Sequence, residues 1–139
     1  MTPEVEEAIG EIRRQYAGHT VLVGEDQHGG ACVIVEDVAL GAPYIQASSW
    51  IGFHITHSCP YADIYPHFVR EDLQRVDRAA LNEAMRAGHQ FPLPGVVVRG
   101  HMPARPAIQI SRRSNRRDAS GIETPLIKLL KVVQWVLSL

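Results

Sequence analysis

The sequence predicts an α+β fold with an antiparallel sheet, and three observations carry that prediction. Apolar residues recur at helical spacing over residues 3–16 and again over 125–138. Between residues 19 and 57 the chain is instead a series of short, β-branched runs separated by Gly, Asp and Pro. Strands grouped behind one helix, without a helix between each pair, are the pattern of an antiparallel meander and not of a parallel βαβ sheet.

A chain of 139 residues fits one domain, residues 1–139, around one core. Its 45% hydrophobic and 21% charged content is ordinary for a soluble globular protein. A net charge of -1 gives no global basic field for nucleic acid. Two cysteines, Cys32 and Cys59, are too few for a disulfide framework and suit a reducing, cytoplasmic setting. No basic start followed by an apolar run reads as a secretory signal. The C-terminal apolar pattern is broken by Lys128, Lys131 and Gln134, so it is not a membrane span.

The first helix, 3–16, carries Val5, Ala8, Ile9, Ile12 and Tyr16 on one face. Thr2 caps it, Pro3 suits its first turn, and Gly18 is the expected stop. Glu4, Glu6 and Glu7 sit near the positive end of its dipole, Arg13 and Arg14 near the negative end. Runs at 19–24 and 31–38 flank the turn Asp26-Gln27-His28-Gly29-Gly30 and form a hairpin. Runs at 44–48 and 51–57 extend the meander. Over 70–87, Leu73, Val76, Ala80, Leu81, Ala84 and Met85 fall at helical spacing, so an inserted helix ending at Gly88 is expected there. Val96-Val97-Val98 reads as a strand after a Pro-rich approach. The last helix, 125–138, is apolar around most of its circumference, with Lys128, Lys131, Gln134 and Ser138 as its polar stripe. It should be mostly buried, Trp135 included.

The stretch from His101 to Ser111 holds the candidate chemistry. It starts as a Pro-rich turn, passes through the alternation Ala107-Ile108-Gln109-Ile110, and delivers Ser111 to the basic loop Arg112-Arg113-Ser114-Asn115-Arg116-Arg117. Here the chain resembles the ubiquitin-conjugating (UBC) family. That family has a turn His and, ten residues on, a catalytic Cys preceded by Ile. Ser111, preceded by Ile110, stands at that place after His101, and Tyr65-Pro66 resembles the family's Tyr-Pro that follows a strand. Met102-Pro103 stands where the family has Pro-Asn. The order helix, meander, Tyr-Pro, strand, His turn and helix also resembles a UBC-like fold, here without the usual final helices.

The resemblance implies a bacterial UBC-like component of a ubiquitination-like system. It would receive a ubiquitin-like modifier protein from an activating (adenylating) enzyme as an oxyester on Ser111 and pass it to an amine of a target protein, with no cofactor. A hydroxyl is a weaker nucleophile than a thiolate and needs a base or strong positioning. Ser114 is the alternative if the register is offset. His101 would shape the turn or act as base. Asn115 and backbone N–H groups would supply the oxyanion donors that Pro103 lacks. Asp118 would orient or deprotonate the incoming lysine. The four arginines of the loop would steady the modifier's tail or an acidic partner. The other reading of the same residues is an inactive UBC-like adaptor that binds the modifier or the activating enzyme without covalent chemistry.

Other chemistries are weaker. His54, His57 and Cys59 hint at a metal, but strand alternation sends His54 to the opposite face from His57 and Cys59. Cys59 as a thiol nucleophile lies before Tyr65-Pro66, on the wrong side of the family's active-site position. Cys32 reads as core. No aromatic residues interleave with the basic loop, which argues against nucleic acid.

Overall fold

Thr2 opens the first helix, α1 (Pro3–Gln15), by accepting a hydrogen bond from the Val5 N–H at 3.2 Å. The computed structural model describes residues 1–95, 98–114 and 123–139. Six strands follow, β1 (Val21–Glu25), β2 (Ala31–Ala39), β3 (Ser48–Ile55), β4 (His67–Arg70), β5 (Met85–Pro92) and β6 (Ala104–Ile110), and then a second helix, α2 (Pro125–Leu137). All the pairings are antiparallel, in the order β1-β2-β3-β4-β6-β5. The α+β class, the N-terminal helix, the antiparallel sheet and the C-terminal helix are therefore as the sequence led us to expect. No helix among the described residues is long and apolar enough to cross a membrane.

Strand alternation divides the sheet into two apolar faces. Val33 and Val35 of β2, Phe53 and Ile55 of β3, Val69 of β4 and Ile108 and Ile110 of β6 face both helices. They meet Val5, Ile9 and Ile12 of α1 and Leu129, Val132 and Val136 of α2 in one core. On the opposite face Ile34, Phe91 and Ala107 are buried among Leu22, Cys32, Trp50, Phe68 and Leu93.

That second face is roofed by the chain itself. The hairpin of β5 and β6 leans back across the sheet. Arg105 of β6 stacks over Trp50 of β3 at 5.4 Å and grips Glu36 of β2 with two hydrogen bonds of 2.6 and 2.9 Å. The Phe91 ring lies so close to Gly52 that a Cβ there would come within 2.8 Å of it. At the sheet's far edge, a Cβ on Gly24 of β1 would meet the Gly95 backbone at 2.8 Å. Two glycines on the sheet thus make the space into which the hairpin settles.

Three expectations are corrected. The inserted helix over 70–87 is absent: Arg70 ends β4, residues 71–84 are a loop, and β5 follows. Of its apolar residues only Leu73 and Met85 are buried, while Val76 is 62% exposed. Asp77 and Asn82 instead bind backbone N–H groups two residues ahead, and Arg75 pairs with Asp77, local bonds that compete with helix. Gly88 is not a helix stop; it takes φ +86° where the β5 register shifts. The run at 44–48 contributes one bridge, Tyr44 to Arg75, and β3 begins only at Ser48. In α2, Trp135 is half-buried, whereas Lys128 is 3% exposed.

Candidate active site

At the end of β6 the Ser111 N–H is still tied down, to the Ala84 carbonyl at 2.8 Å. The next two residues lay their guanidinium groups on aromatic rings. Arg112 sits 4.9 Å from the Trp135 ring and Arg113 4.2 Å from the Tyr65 ring. Both rings belong to fixed elements or their flanks, so the chain arrives at Ser114 along a defined path.

Ser114 is held by three groups distant in sequence. Its N–H donates to Asp63 Oδ2 at 2.9 Å, its hydroxyl donates to Glu123 Oε1, and its Oγ accepts from Lys128 Nζ at 2.9 Å. Lys128 Nζ also donates to Asp63 Oδ1 at 3.0 Å, and Lys131 Nζ donates to Glu123 Oε2 at 2.7 Å. Thr124 caps α2 immediately after Glu123, accepting from the Ile127 N–H, which places Lys128 and Lys131 one turn apart over the serine. A cleft of about 560 Å³ opens here, lined by Arg112, Arg113, Ser114, Glu123, Lys131 and Trp135 among others. The polar stripe of α2 is real, but it faces this cleft and the carboxylates around it, and Lys128 is its buried end.

The electrostatics follow from these contacts. Partial burial pushes the Asp63 carboxyl up, but hydrogen bonds from Ser114 and Lys128 outweigh it and hold the group below its ordinary value. Glu123 behaves alike: burial raises it, and the bonds from Lys131 and Ser114 bring it below the usual carboxylate range. Both are acceptors at neutral pH. Behind them lies His67 of β4, fully buried against Phe53, with neither ring nitrogen partnered among the described residues. Burial, aided by the charge of Lys128 and opposed by Asp63, lowers its pKa to about 3, so the ring is neutral.

The residues singled out in the sequence fall differently. Ser111 is half-buried, and the Tyr65 phenol is held below its ordinary value by Ser111 first and Arg113 second. His101 is exposed in a two-residue turn with Val98, where Arg99 and Gly100 both take positive φ. The seven residues of β6 lie between His101 and Ser111, roughly 23 Å of strand at its usual rise. A base role of His101 toward Ser111 is thus corrected: the two stand at opposite ends of one strand. Asn115 and Asp118, with Arg116 and Arg117, lie outside the described residues, as do Val96 and Val97.

His54 is engaged by Asp26 at 2.6 Å. Among the described residues no three His, Cys, Asp or Glu side chains are grouped to hold a metal ion. Cys59 is 7% exposed, its Sγ points at the Glu4 carbonyl, and burial pushes the thiol up, which disfavours the thiolate a nucleophile needs. Cys32 is half-buried on the roofed face.

Sequence reasoning missed Asp63 and Glu123 and left Lys128 in the solvent. One signal was available. Lys128 falls within the stripe Pro125, Leu129, Val132, Val136 that packs on the sheet, and a lysine there needs an internal partner. The chain matches no protein-family model, no curated protein and no solved structure.

Proposed function

We propose that this is a UBC-like acyl-transfer protein that carries the C-terminal acyl group of a ubiquitin-like modifier as an oxyester, on Ser114 rather than Ser111. The observation that carries the choice is the Ser114 hydroxyl, set between a carboxylate that accepts its proton and a buried ammonium that donates to its oxygen. As the hydroxyl attacks the activated carbonyl, Glu123 takes its proton, and Lys128 orients Oγ while balancing the negative charge. Asp63 positions both partners, one oxygen on the Ser114 N–H and the other on Lys128. An activating enzyme supplies the acyl group and a target amine removes it. The UBC likeness is supported by the order of helix, antiparallel sheet and helix and by Tyr65-Pro66 after β3. The regular strand between His101 and Ser111 departs from the family's turn.

A fluorophosphonate probe, which labels activated serines, tests the site without any partner. Ser114 should be labelled in the wild type and in Ser111→Ala, and Ser114→Ala should lose the label. With modifier, activating enzyme and ATP, the adduct should resist reductant and yield to strong base. Label or adduct on Ser111 or Cys59 would refute the assignment. A second reading, the non-covalent adaptor, is favoured by one observation: the Ser114 oxygen already both donates and accepts within the protein. Tight modifier binding with no labelling at any serine would establish it.

A further inference from the structure

The chain has twelve arginines but only two lysines: Lys128 bonds Ser114 itself, and Lys131 bonds Glu123, the carboxylate that receives the Ser114 hydroxyl. Every other permanently cationic side chain, whether on α1, in the β4–β5 loop or along β6, is an arginine, which cannot act as an amine nucleophile. The two lysines differ in freedom. The Lys128 side chain is 4% exposed and pinned by Asp63. The Lys131 side chain is 63% exposed and, among the described residues, is anchored through Glu123, whose other oxygen receives the Ser114 hydroxyl. Lys131 and Ser114 therefore rest against the two oxygens of one carboxylate. The Met1 amine is paired with Glu25 beside β1.

We propose that Lys131 is a self-modification site: an acyl group held on Ser114 passes within the molecule to Lys131 Nζ. This rests on the acyl-serine reading above. The step balances without a further reagent. Lys131 Nζ first gives up the extra proton of its ammonium form to solvent; the uncharged amine then attacks the ester carbonyl and a C–N bond forms. The C–O bond to Ser114 breaks, and Glu123 carries the proton lost by nitrogen to the departing Oγ. Ester and amine become amide and alcohol. Holding both groups on one carboxylate gives the attack the advantage of an intramolecular reaction. For a modifier the product is an isopeptide to this protein itself, which ends its turn as carrier unless an outside amine arrives first.

p-Nitrophenyl acetate, a small activated ester, probes the transfer in the intact chain. Samples quenched over time are split, treated with or without hydroxylamine, which cleaves esters and spares amides, and mapped by mass spectrometry. The wild type should show acetyl-Ser114 early and acetyl-Lys131 late. Lys131→Arg, which retains a cation for Glu123, should lose the hydroxylamine-resistant acetyl and keep the ester on Ser114. Ser114→Ala should lose both, and Ser114→Cys, whose thioester also yields to the amine, should regain acetyl-Lys131. Acetyl-Ser114 that hydrolyses with no acetyl-Lys131 would overturn the transfer and leave the acyl-serine reading standing. Acetyl-Lys131 forming as fast in Ser114→Ala would overturn the transfer as direct acetylation. No acetyl on Ser114 in any form would overturn both.

Discussion

Lys128 shows how one side chain organises the site. A lysine on a helix facing a core usually extends its head toward water. This one ends between Asp63 and Ser114 instead. Lys128→Met keeps the stem's packing and leaves Asp63 with only part of its partners. It should lower unfolding stability in urea by ~2–4 kcal/mol, less than a fully buried pair because the Asp63 side chain is 23% exposed. Adding Asp63→Asn should restore part of that loss, a coupling of about 1–3 kcal/mol. Additive losses would mean that the two groups do not act as a pair. The sequence could place Lys128 on a polar stripe, but not what the stripe faces, because Asp63 lies 65 residues earlier. The reverse error concerned His101 and Ser111. Their ten-residue spacing matched a family turn, yet the alternation Ala107-Ile108-Gln109-Ile110 was already the signature of the strand that separates them.

At the scale of elements, the termini were the most legible. Both helices begin at a Thr-Pro pair and end within a residue or two of the expected positions, because capping and apolar spacing are local properties. The loop after β4 was misread because its apolar spacing is helical while its bonding is not. Arg70–Asp72 and Arg75–Asp77 pair two residues apart, a spacing that helices do not bring together. The roof hairpin was hidden because it depends on residues with nothing to show, Gly52 and Gly24. Gly52→Ala would press a methyl against Phe91 and should cost ~1–3 kcal/mol in thermal unfolding. Phe91→Leu in the same chain should recover some of it; an unchanged transition in Gly52→Ala would mean that the ring does not rest there. For α2, half-burial revises the expected cost of Trp135→Ala to about 1–2 kcal/mol, against the 3–5 of a fully buried ring. Part of that loss is the stack with Arg112.

At the scale of the whole molecule, stability should depend on acidity in two windows. The folded pKa of His67 is depressed, from 6.5 to about 3, so the unfolded chain binds a proton that the fold refuses. Its contribution is complete above pH 6.5 and declines as pH falls toward 3, at about 1.4 kcal/mol per pH unit. His67→Leu should flatten that decline in urea midpoints measured between pH 7 and pH 5, windows chosen from the same shift. An unchanged slope would place the proton uptake elsewhere. Asp26 acts later. His54 first, and the backbone N–H groups of His28 and Gly30 after it, lower its carboxyl from 3.8 to about 2, so its share persists until pH falls through that lower range. Asp26→Asn should remove this second limb only.

An open sheet has two outer strands, and here they are β1 and β5. Unpaired strand edges invite another chain to add itself by backbone hydrogen bonds. β1 is five residues long, and the Pro94-Gly95 corner crosses it at Gly24. β5 is bent by its bulge at Gly88, carries Arg86 and closes with Pro92, which has no N–H to offer. Neither margin presents a long, flat row of donors and acceptors. The corner that crosses β1 and the bulge and proline of β5 therefore also guard the molecule against edge-to-edge aggregation, and a chain whose β5 margin regains its N–H, by Pro92→Val, should scatter light at concentrations where the native chain stays clear.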